Sequence, residues 1–220
     1  TGKCDRASLQ RGFQVYKEVC SSCHSMQYLS YRNLGEPGGP EFSDQEVKAI
    51  AASVEITDGP DDQGEMFSRP GRPADKFKNP YPNVKASIAA NGGAYPPDMS
   101  VLVKARPGGS NYIYSVLVGY EDPPEGVTLD DGVYYNKYMI GNKIKMSSPL
   151  SDDIVEYTDG TQASIDQMAK DVTTFLTWSA EPELEERHRT GVKVIIYLIL
   201  LTTLVYLSMK KIWSRIDTEV

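Results

Sequence analysis

Five consecutive residues near the start of the chain, Cys20-Ser21-Ser22-Cys23-His24, have the types and spacing that attach a haem. Two thiols two residues apart can add across the vinyl groups of a porphyrin, and the histidine that follows is then held beneath the iron as its proximal ligand. We therefore predict one covalent c-type haem per chain. Cys20 and Cys23 would bind the cofactor, and His24 would bind the metal.

The same two cysteines have two alternative interpretations. A redox dithiol needs a strand-helix-strand setting, whereas the residues before Cys20 have helical spacing. A zinc site needs further ligands, and the only cysteine and histidine outside the motif are Cys4 and His188. The histidine directly after the second cysteine has no special purpose in either alternative, so the haem is favoured. We assign Cys4 no role.

Iron that only shuttles electrons needs a sixth ligand, and a methionine thioether combined with histidine raises the reduction potential. Of the seven methionines, Met146 lies in a polar segment bounded by Pro149, just before the last predicted helix of the globular part. Three others are unsuitable, because they lie beside the motif, on a predicted helix face or in an apolar run: Met26, Met168 and Met209. Three remain open on position alone: Met66, Met99 and Met139.

Two further stretches could complete a haem pocket. Residues 95–98 contain Pro96 and Pro97, and each proline fixes its own backbone and restricts the residue before it. Such a rigid extended piece could form a flat apolar wall against a porphyrin. Arg106 could pair with a haem propionate, since an arginine fork suits a carboxylate. An ordinary surface charge is the competing interpretation of Arg106, and the residue types alone favour it.

Two predicted helices would position these residues. Apolar side chains at helical spacing predict a helix over 8–20 that delivers the cysteines, and Gly12 within it could permit a close helix crossing. A second amphipathic segment, 161–181, has Ser164 as its cap, and we expect it to cross the first helix and close the pocket. Shorter helices are predicted from Ser43, Asn83, Met99 and Ser110, and a small hairpin within 121–150.

The 220 residues carry a net charge of -7, which is unevenly distributed. Four basic side chains against two acidic ones give residues 190–220 a charge of +2, so residues 1–189 carry -9. An acidic globular part argues against nucleic acid and favours a basic partner. The segment 55–82 has many turn formers and no periodicity, which predicts a long loop. Its carboxylates form a candidate docking surface or simply a solvated loop: Glu55, Asp58, Asp61, Asp62 and Glu65.

The C-terminal part predicts a membrane anchor. The run 194–209 contains no charge, and counted from Gly191 it is about as long as the ~20 residues that a bilayer core requires. A buried core helix is the alternative, but Lys210, Lys211 and Trp213 after the run are typical of an interfacial anchor. Positive charge after the run and carboxylates before it predict that the C-terminus lies inside and the globular part outside.

We therefore expect a haem domain over 1–182, a linker over 183–190, a transmembrane helix over 191–209 and a short inner tail over 210–220. The first residues show no apolar leader. Because thioether attachment of haem occurs on the outer side of energy-transducing membranes, we expect that a leader has been removed.

Ordered segments along nearly all of the chain resemble the cytochrome c1 family, whose members are the haem subunits of the cytochrome bc1 complex. The haem motif alone recurs in many proteins, but this ordered set is specific. The segments are 11–16 and 20–26, Asp58-Gly59-Pro60, 64–67, Arg69-Pro70-Gly71, 79–83, Pro96-Pro97-Asp98, Ala105-Arg106, Val118-Gly119-Tyr120, Glu156-Tyr157, Asp159-Gly160-Thr161, 169–172 and Ala180-Glu181-Pro182.

The resemblance implies a mainly α fold, with a class I cytochrome c-like haem domain, long loop insertions and one C-terminal transmembrane helix. It favours Met146 as a metal ligand over Met139 and Met66, because the axial methionine of the family precedes a proline-bounded turn at this place. It also implies that Arg106 and Tyr112 contact a haem propionate. Three further positions would line the pocket: Asn91, Pro96 and Pro97.

The resemblance further implies an electron-transfer subunit of ubiquinol:cytochrome c oxidoreductase, with no catalytic side chain of its own. Its partners would be cytochrome b, the Rieske iron-sulfur protein as electron donor, a soluble c-type cytochrome as acceptor and membrane lipid, in a dimeric complex without nucleic acid. The haem domain would lie in a bacterial periplasm or a mitochondrial intermembrane space. The alternatives are an anchored donor to a terminal oxidase, and a haem-based gas sensor or peroxidase with an open sixth position.

Overall fold

The computed structural model describes residues 5–216, which fall into two compact units. The first ends at Pro182 and the second begins at Glu183. The elements in chain order are α1 (Arg6–Glu18), α2 (Asp44–Ala52), β1 (Glu55–Asp58), β2 (Phe67–Pro70), α3 (Val84–Ala90), α4 (Gly109–Val118), β3 (Tyr134–Tyr135), β4 (Lys143–Ile144), α5 (Ile165–Ala180) and α6 (Leu184–Ile216). The predictions of a mainly α fold and of a small hairpin within 121–150 are confirmed.

The core of the first unit forms where α1 crosses α5. A Cβ on Gly12 would lie 2.1 Å from the carbonyl oxygen of Asp171, so no side chain fits between the two backbones. Next to this point, the rings of Phe13 and Phe175 pack with centroids 5.7 Å apart. The predicted close crossing at Gly12 is therefore confirmed, and the crossing fixes the end of α1 from which the haem motif follows.

An ion-pair cluster fastens the same crossing. The Arg11 guanidinium lies 2.8 Å from the fully buried carboxylate of Asp171 and 2.7 Å from that of Asp159, which precedes α5. The hydrogen bond to Asp171 is the main reason that the pKa of Arg11 is raised. The pKa of Asp159 is lowered to about 2, chiefly because the Thr161 backbone amide donates to it and further because Arg11 does. The cluster joins α1, α5 and the turn before α5.

The segment 55–82 is not the plain loop that the sequence predicts, because β1 and β2 pair within it as an antiparallel hairpin. Arg69 on β2 pairs with Asp58 on β1, and its two Nη atoms donate to Asp75 at 2.7 and 2.9 Å. Each strand has only four residues, most of them exposed, and Ile56 is the one apolar side chain of β1, so the residue types show no apolar-polar alternation. The sequence pattern could not indicate them.

Two shorter predictions also differ from the structure. The apolar run from Met99 forms successive turns instead of a helix, and only the amide of Ala105 reaches a carbonyl four residues back. The helix expected to start at Ser110 is present as α4, but Gly108 precedes it with a φ of 86°, which a glycine adopts readily. Ser110 is therefore inside the helix and is not its cap.

The second unit consists of α6. The helix begins at Leu184, so most of the segment expected to be a linker, 183–190, is helical and continues directly into the apolar run. In the part of the chain that the structure describes, α6 is the one helix long and apolar enough to cross a membrane. Its apolar side chains over 192–213 are exposed, which is the arrangement that a lipid-facing helix requires. The proposed domain boundaries remain a prediction.

Candidate haem site

The haem motif lies directly after α1 in a tight 3₁₀ turn over Cys20–Ser22. The backbone amides of Cys23 and His24 both donate to the carbonyl of Cys20, at 3.2 and 2.9 Å. This shared acceptor folds the motif onto itself, so the two cysteines and the histidine are presented from one compact turn.

The ring of His24 is held by a single backbone contact. His24 is buried, and its Nδ1 lies 2.8 Å from the carbonyl oxygen of Pro97. A carbonyl can only accept a hydrogen bond, so Nδ1 carries the proton in this contact and Nε2 is left with its lone pair. Burial lowers the pKa of His24, which favours the neutral ring. A neutral imidazole oriented through Nδ1 is the form that binds a metal through Nε2.

The proline segment is fastened to the residue after His24. The Ser25 hydroxyl donates to a carboxylate oxygen of Asp98 at 2.7 Å, and the amide of Met99 donates to the Ser25 carbonyl at 2.8 Å. Pro96 and Pro97, both half-buried, are therefore fixed beside the motif. The structure thus brings together the predicted wall and the predicted proximal ligand.

Neither Cys20 nor Cys23 forms a disulfide bond. Cys20 is buried, and burial raises its pKa to about 12. Cys23 is half-buried and borders a cavity of about 210 Å³ whose lining includes Tyr81 and Pro96. The thiol of Cys23 therefore opens into the concave surface formed by the proline segment.

Met146 lies in an irregular segment that two side chains tie to other parts of the unit. The Tyr120 hydroxyl donates to the carbonyl oxygen of Met146 at 3.0 Å. The ammonium group of Lys145 donates to the carbonyl of Gly92 at 3.2 Å, which places the Met146 segment next to the turn that contains Asn91. Two predicted pocket positions, Asn91 and Met146, therefore belong to neighbouring segments. Neither tie was anticipated from the sequence.

The two residues expected at a propionate have separate hydrogen-bond partners. Arg106 is exposed, and its Nη1 donates to the carbonyl of Ala105 at 3.0 Å. The half-buried Tyr112 donates its hydroxyl to the sulfur of Met139 at 3.1 Å. The structure therefore does not bring Arg106 and Tyr112 to a common acceptor, and it engages Met139 in a contact that the sequence did not predict.

The donor set fits iron that is already held by a porphyrin. Among residues 5–216, no group of three or more His, Cys, Asp or Glu side chains is arranged to bind a metal ion. A porphyrin supplies four nitrogen ligands itself, so the protein needs to add only axial ligands. One buried histidine with a free Nε2, next to two free thiols and a proline wall, meets that requirement.

Comparisons with known proteins show the family of the chain. A model of the Cytochrome C1 family matches residues 1–216. The chain is 50% identical to a cytochrome b/c1 of Bradyrhizobium diazoefficiens, over 97% of this chain and 34% of that protein, of which it therefore spans about a third. It is 53% identical to a mitochondrial cytochrome c1-2 heme protein of Solanum tuberosum, over 89% of this chain and 74% of that protein.

A third relative is the mitochondrial cytochrome b-c1 complex catalytic subunit of Candida albicans, with 51% identity over 96% of this chain and 70% of that protein. The family match extends over nearly the whole chain, and the identities are about half over most of its length. The chain therefore belongs to the Cytochrome C1 family.

Proposed function

We propose that this chain relays single electrons from a Rieske iron-sulfur protein to a soluble c-type cytochrome, as the haem subunit of a quinol:cytochrome c oxidoreductase. Family membership supports a haem-containing electron-transfer subunit, and the name of the Candida albicans relative supports membership in a b-c1 complex. The observation that carries the proposal is the buried His24, oriented by the Pro97 carbonyl beside two free thiols.

The residues of the motif would hold the cofactor in two ways. Cys20 and Cys23 would bind it covalently, and His24 would bind its iron through Nε2. The bound haem supplies a one-electron change at iron, so no side chain would form or break a bond during electron transfer. The protein instead sets the polarity around the cofactor and its distance from other redox centres. The remaining pocket positions would be Asn91, Pro96, Pro97, Arg106 and Tyr112.

Met146 is the sixth ligand that the contacts support best. The sulfur of Met139 accepts a hydrogen bond from Tyr112, which engages one of its two lone pairs. Among the described residues, no hydrogen bond reaches the sulfur of Met146, whereas its backbone is tied at the carbonyl. Met66 is 61% exposed on the hairpin segment, so it offers no enclosed position.

Arg106 retains the capacity to pair with a propionate. A guanidinium carries five donors, and only one hydrogen bond from Arg106 is made within the described residues, to the neighbouring Ala105 carbonyl. Its exposure allows the side chain to reorient towards a carboxylate. Tyr112, on helix α4, would then donate its hydroxyl to the propionate in place of its hydrogen bond to the sulfur of Met139.

The second unit would anchor the haem domain in an energy-transducing membrane. The part of α6 over 191–209 would span the bilayer, with residues 210–220 on the cytoplasmic or matrix side and residues 1–182 in the periplasm or intermembrane space. Lipid and cytochrome b would surround the helix, and the complex would be dimeric. The carboxylates of the β1–β2 hairpin would face the soluble cytochrome, whose basic surface they would attract.

Rapid mixing of the purified, membrane-extracted complex with quinol and then with oxidised soluble cytochrome tests this function. We expect the haem of this chain to be reduced by quinol and reoxidised by the soluble cytochrome, with a reoxidation rate that falls as salt screens the acidic surface. A haem that stays reduced in the presence of the soluble cytochrome would contradict the proposal. Purification without cytochrome b would instead favour a donor to a terminal oxidase.

A further inference from the structure

Tyr120 reaches from the end of α4 to the residue proposed as the sixth ligand. It follows Gly119, the cap of α4, and its half-buried side chain donates a hydrogen bond to the carbonyl oxygen of Met146 at 3.0 Å. The two residues are separated by 26 positions in the chain. The hydrogen bond is therefore a tertiary contact between the residue that follows the cap of α4 and the irregular segment that contains Met146.

The backbone of Tyr120 is itself fixed. It forms an isolated antiparallel bridge with Asn136, whose fully buried side chain donates to the Val116 carbonyl at 2.8 Å. The amide of Lys137 donates to the Gly119 carbonyl at 3.0 Å, and a Cβ on Gly119 would lie within 2.6 to 2.8 Å of its neighbours. The phenol is thus attached to a rigid corner, with only its own two side-chain torsions free.

Met146 has little else to hold it. It follows β4, and no backbone-to-backbone hydrogen bond is made by Met146, Ser147 or Ser148 in the described structure. The Ser148 hydroxyl donates to the nearby Leu150 carbonyl, and Lys145 donates to the carbonyl of Gly92, but neither hydrogen bond involves Met146 itself. The hydrogen bond from the Tyr120 hydroxyl is therefore the contact that restrains the backbone of Met146 itself.

We propose that Tyr120 is a positioning residue, whose hydroxyl holds the Met146 backbone where its thioether can bind iron. The inference rests on the proposed function, since it assumes Met146 as the ligand. Holding the backbone in place lowers the entropy that the methionine must lose on binding. Without the hydroxyl, the thioether would leave the iron more often, and a small external ligand would bind in its place.

The test compares Tyr120→Phe with Tyr114→Phe in the full-length, haem-loaded protein. Tyr114 lies on α4, and its hydroxyl donates to Asp166 and not to Met146, so its variant is a matched loss of one phenol hydroxyl. Carbon monoxide is titrated into the reduced proteins, and the near-infrared methionine-to-iron band is recorded in the oxidised ones. Because a hydrogen bond contributes about 1 kcal/mol, we expect the open sixth position to be about fivefold more populated in Tyr120→Phe than in wild type, so that the variant binds carbon monoxide at concentrations that leave wild type unchanged.

The expected result includes a weakened near-infrared band in Tyr120→Phe and wild-type behaviour in Tyr114→Phe. The inference is overturned if Tyr120→Phe binds carbon monoxide no more than wild type does and keeps the wild-type near-infrared band. It is also overturned if Tyr114→Phe changes in both measurements as much as Tyr120→Phe. A merely structural role would shift the urea midpoint and leave carbon monoxide binding unchanged, which also overturns it.

Met146→Leu separates this inference from the proposed function. If Met146→Leu loses the band and binds carbon monoxide while Tyr120→Phe behaves as wild type, the ligand is correct and the positioning role is wrong. If Met146→Leu retains the band of wild type, the ligand is another residue, and both the proposed ligation and the role of Tyr120 are overturned.

Discussion

Replacing Gly12 by alanine should destabilise the first unit, because two helices meet backbone to backbone at this residue. A Cβ at position 12 would lie 2.1 Å from the Asp171 carbonyl oxygen and 2.8 Å from the Cβ of Phe175. Non-bonded heavy atoms prefer separations of about 3.5 Å, so α1 and α5 would have to move apart by about 1.4 Å. Neither neighbouring atom can rotate away, and the movement would loosen the packing of Phe13 on Phe175.

The magnitude follows from two opposing effects. Overpacking a rigid core costs about 1–3 kcal/mol and occasionally more. Alanine is favoured over glycine in a helix interior by about 1 kcal/mol. Because the nearest obstacle is backbone, we expect a cost at the upper end of that range, which leaves a net loss of about 2 kcal/mol in the free energy of unfolding of Gly12→Ala.

Urea denaturation of the full-length, haem-loaded protein in detergent, followed by far-ultraviolet circular dichroism, measures this loss. Gly191→Ala is the matched control, since Gly191 is also helical and a Cβ there would meet nothing within 4 Å. We expect the control to be at least as stable as wild type, because alanine favours a helix and meets no obstacle there. A Gly12→Ala protein as stable as wild type, or more stable, would refute the account of the crossing.

Three further variants test other contacts. Arg11→Met leaves the fully buried carboxylate of Asp171 without its ion-pair partner, and we expect a loss of about 3–5 kcal/mol in the free energy of unfolding by urea denaturation. Asp75→Asn removes a carboxylate whose pKa the hydrogen bond from Arg69 lowers from 3.8 to about 2. This shift stabilises the folded protein above pH 3.8 and is lost as the pH falls to about 2, so the wild-type advantage in thermal midpoint should disappear over that interval. Met139→Leu should leave the reduced protein as unreactive towards carbon monoxide as wild type.

Each of these variants has an outcome that would count against the account. A loss below about 1 kcal/mol for Arg11→Met would mean that the pair contributes no more than an exposed one. A difference between wild type and Asp75→Asn that is constant with pH would remove the ion pair as its cause. Carbon monoxide binding by Met139→Leu would make Met139 the sixth ligand.

The parts of the structure that the sequence predicted are those with strong local signals. The helical spacing before Cys20 and the cap at Ser43 gave α1 and α2, because amphipathic periodicity and capping act over a few residues. The close crossing followed from Gly12, since a glycine inside a helix normally costs stability unless something packs against it. The haem motif needed no tertiary information, because its residues are contiguous.

The remaining features depend on contacts between distant residues. His24 and Pro97 are 73 positions apart in the chain, so no local sequence pattern indicates that the Pro97 carbonyl accepts a hydrogen bond from His24. The tie from Tyr120 to Met146 is of the same kind. Position alone left both Met146 and Met139 open and the family resemblance favoured Met146, whereas the hydrogen bond from Tyr112 to the sulfur of Met139 is visible only in the structure.

The optical spectrum of the reduced protein, recorded before and after adding carbon monoxide, tests the central claim most directly. With His24 and Met146 both bound to the iron, the account predicts a low-spin spectrum that carbon monoxide leaves unchanged. A spectrum that shifts on adding carbon monoxide to wild type would show an open sixth position, which would contradict the electron-relay function and favour a gas sensor or peroxidase.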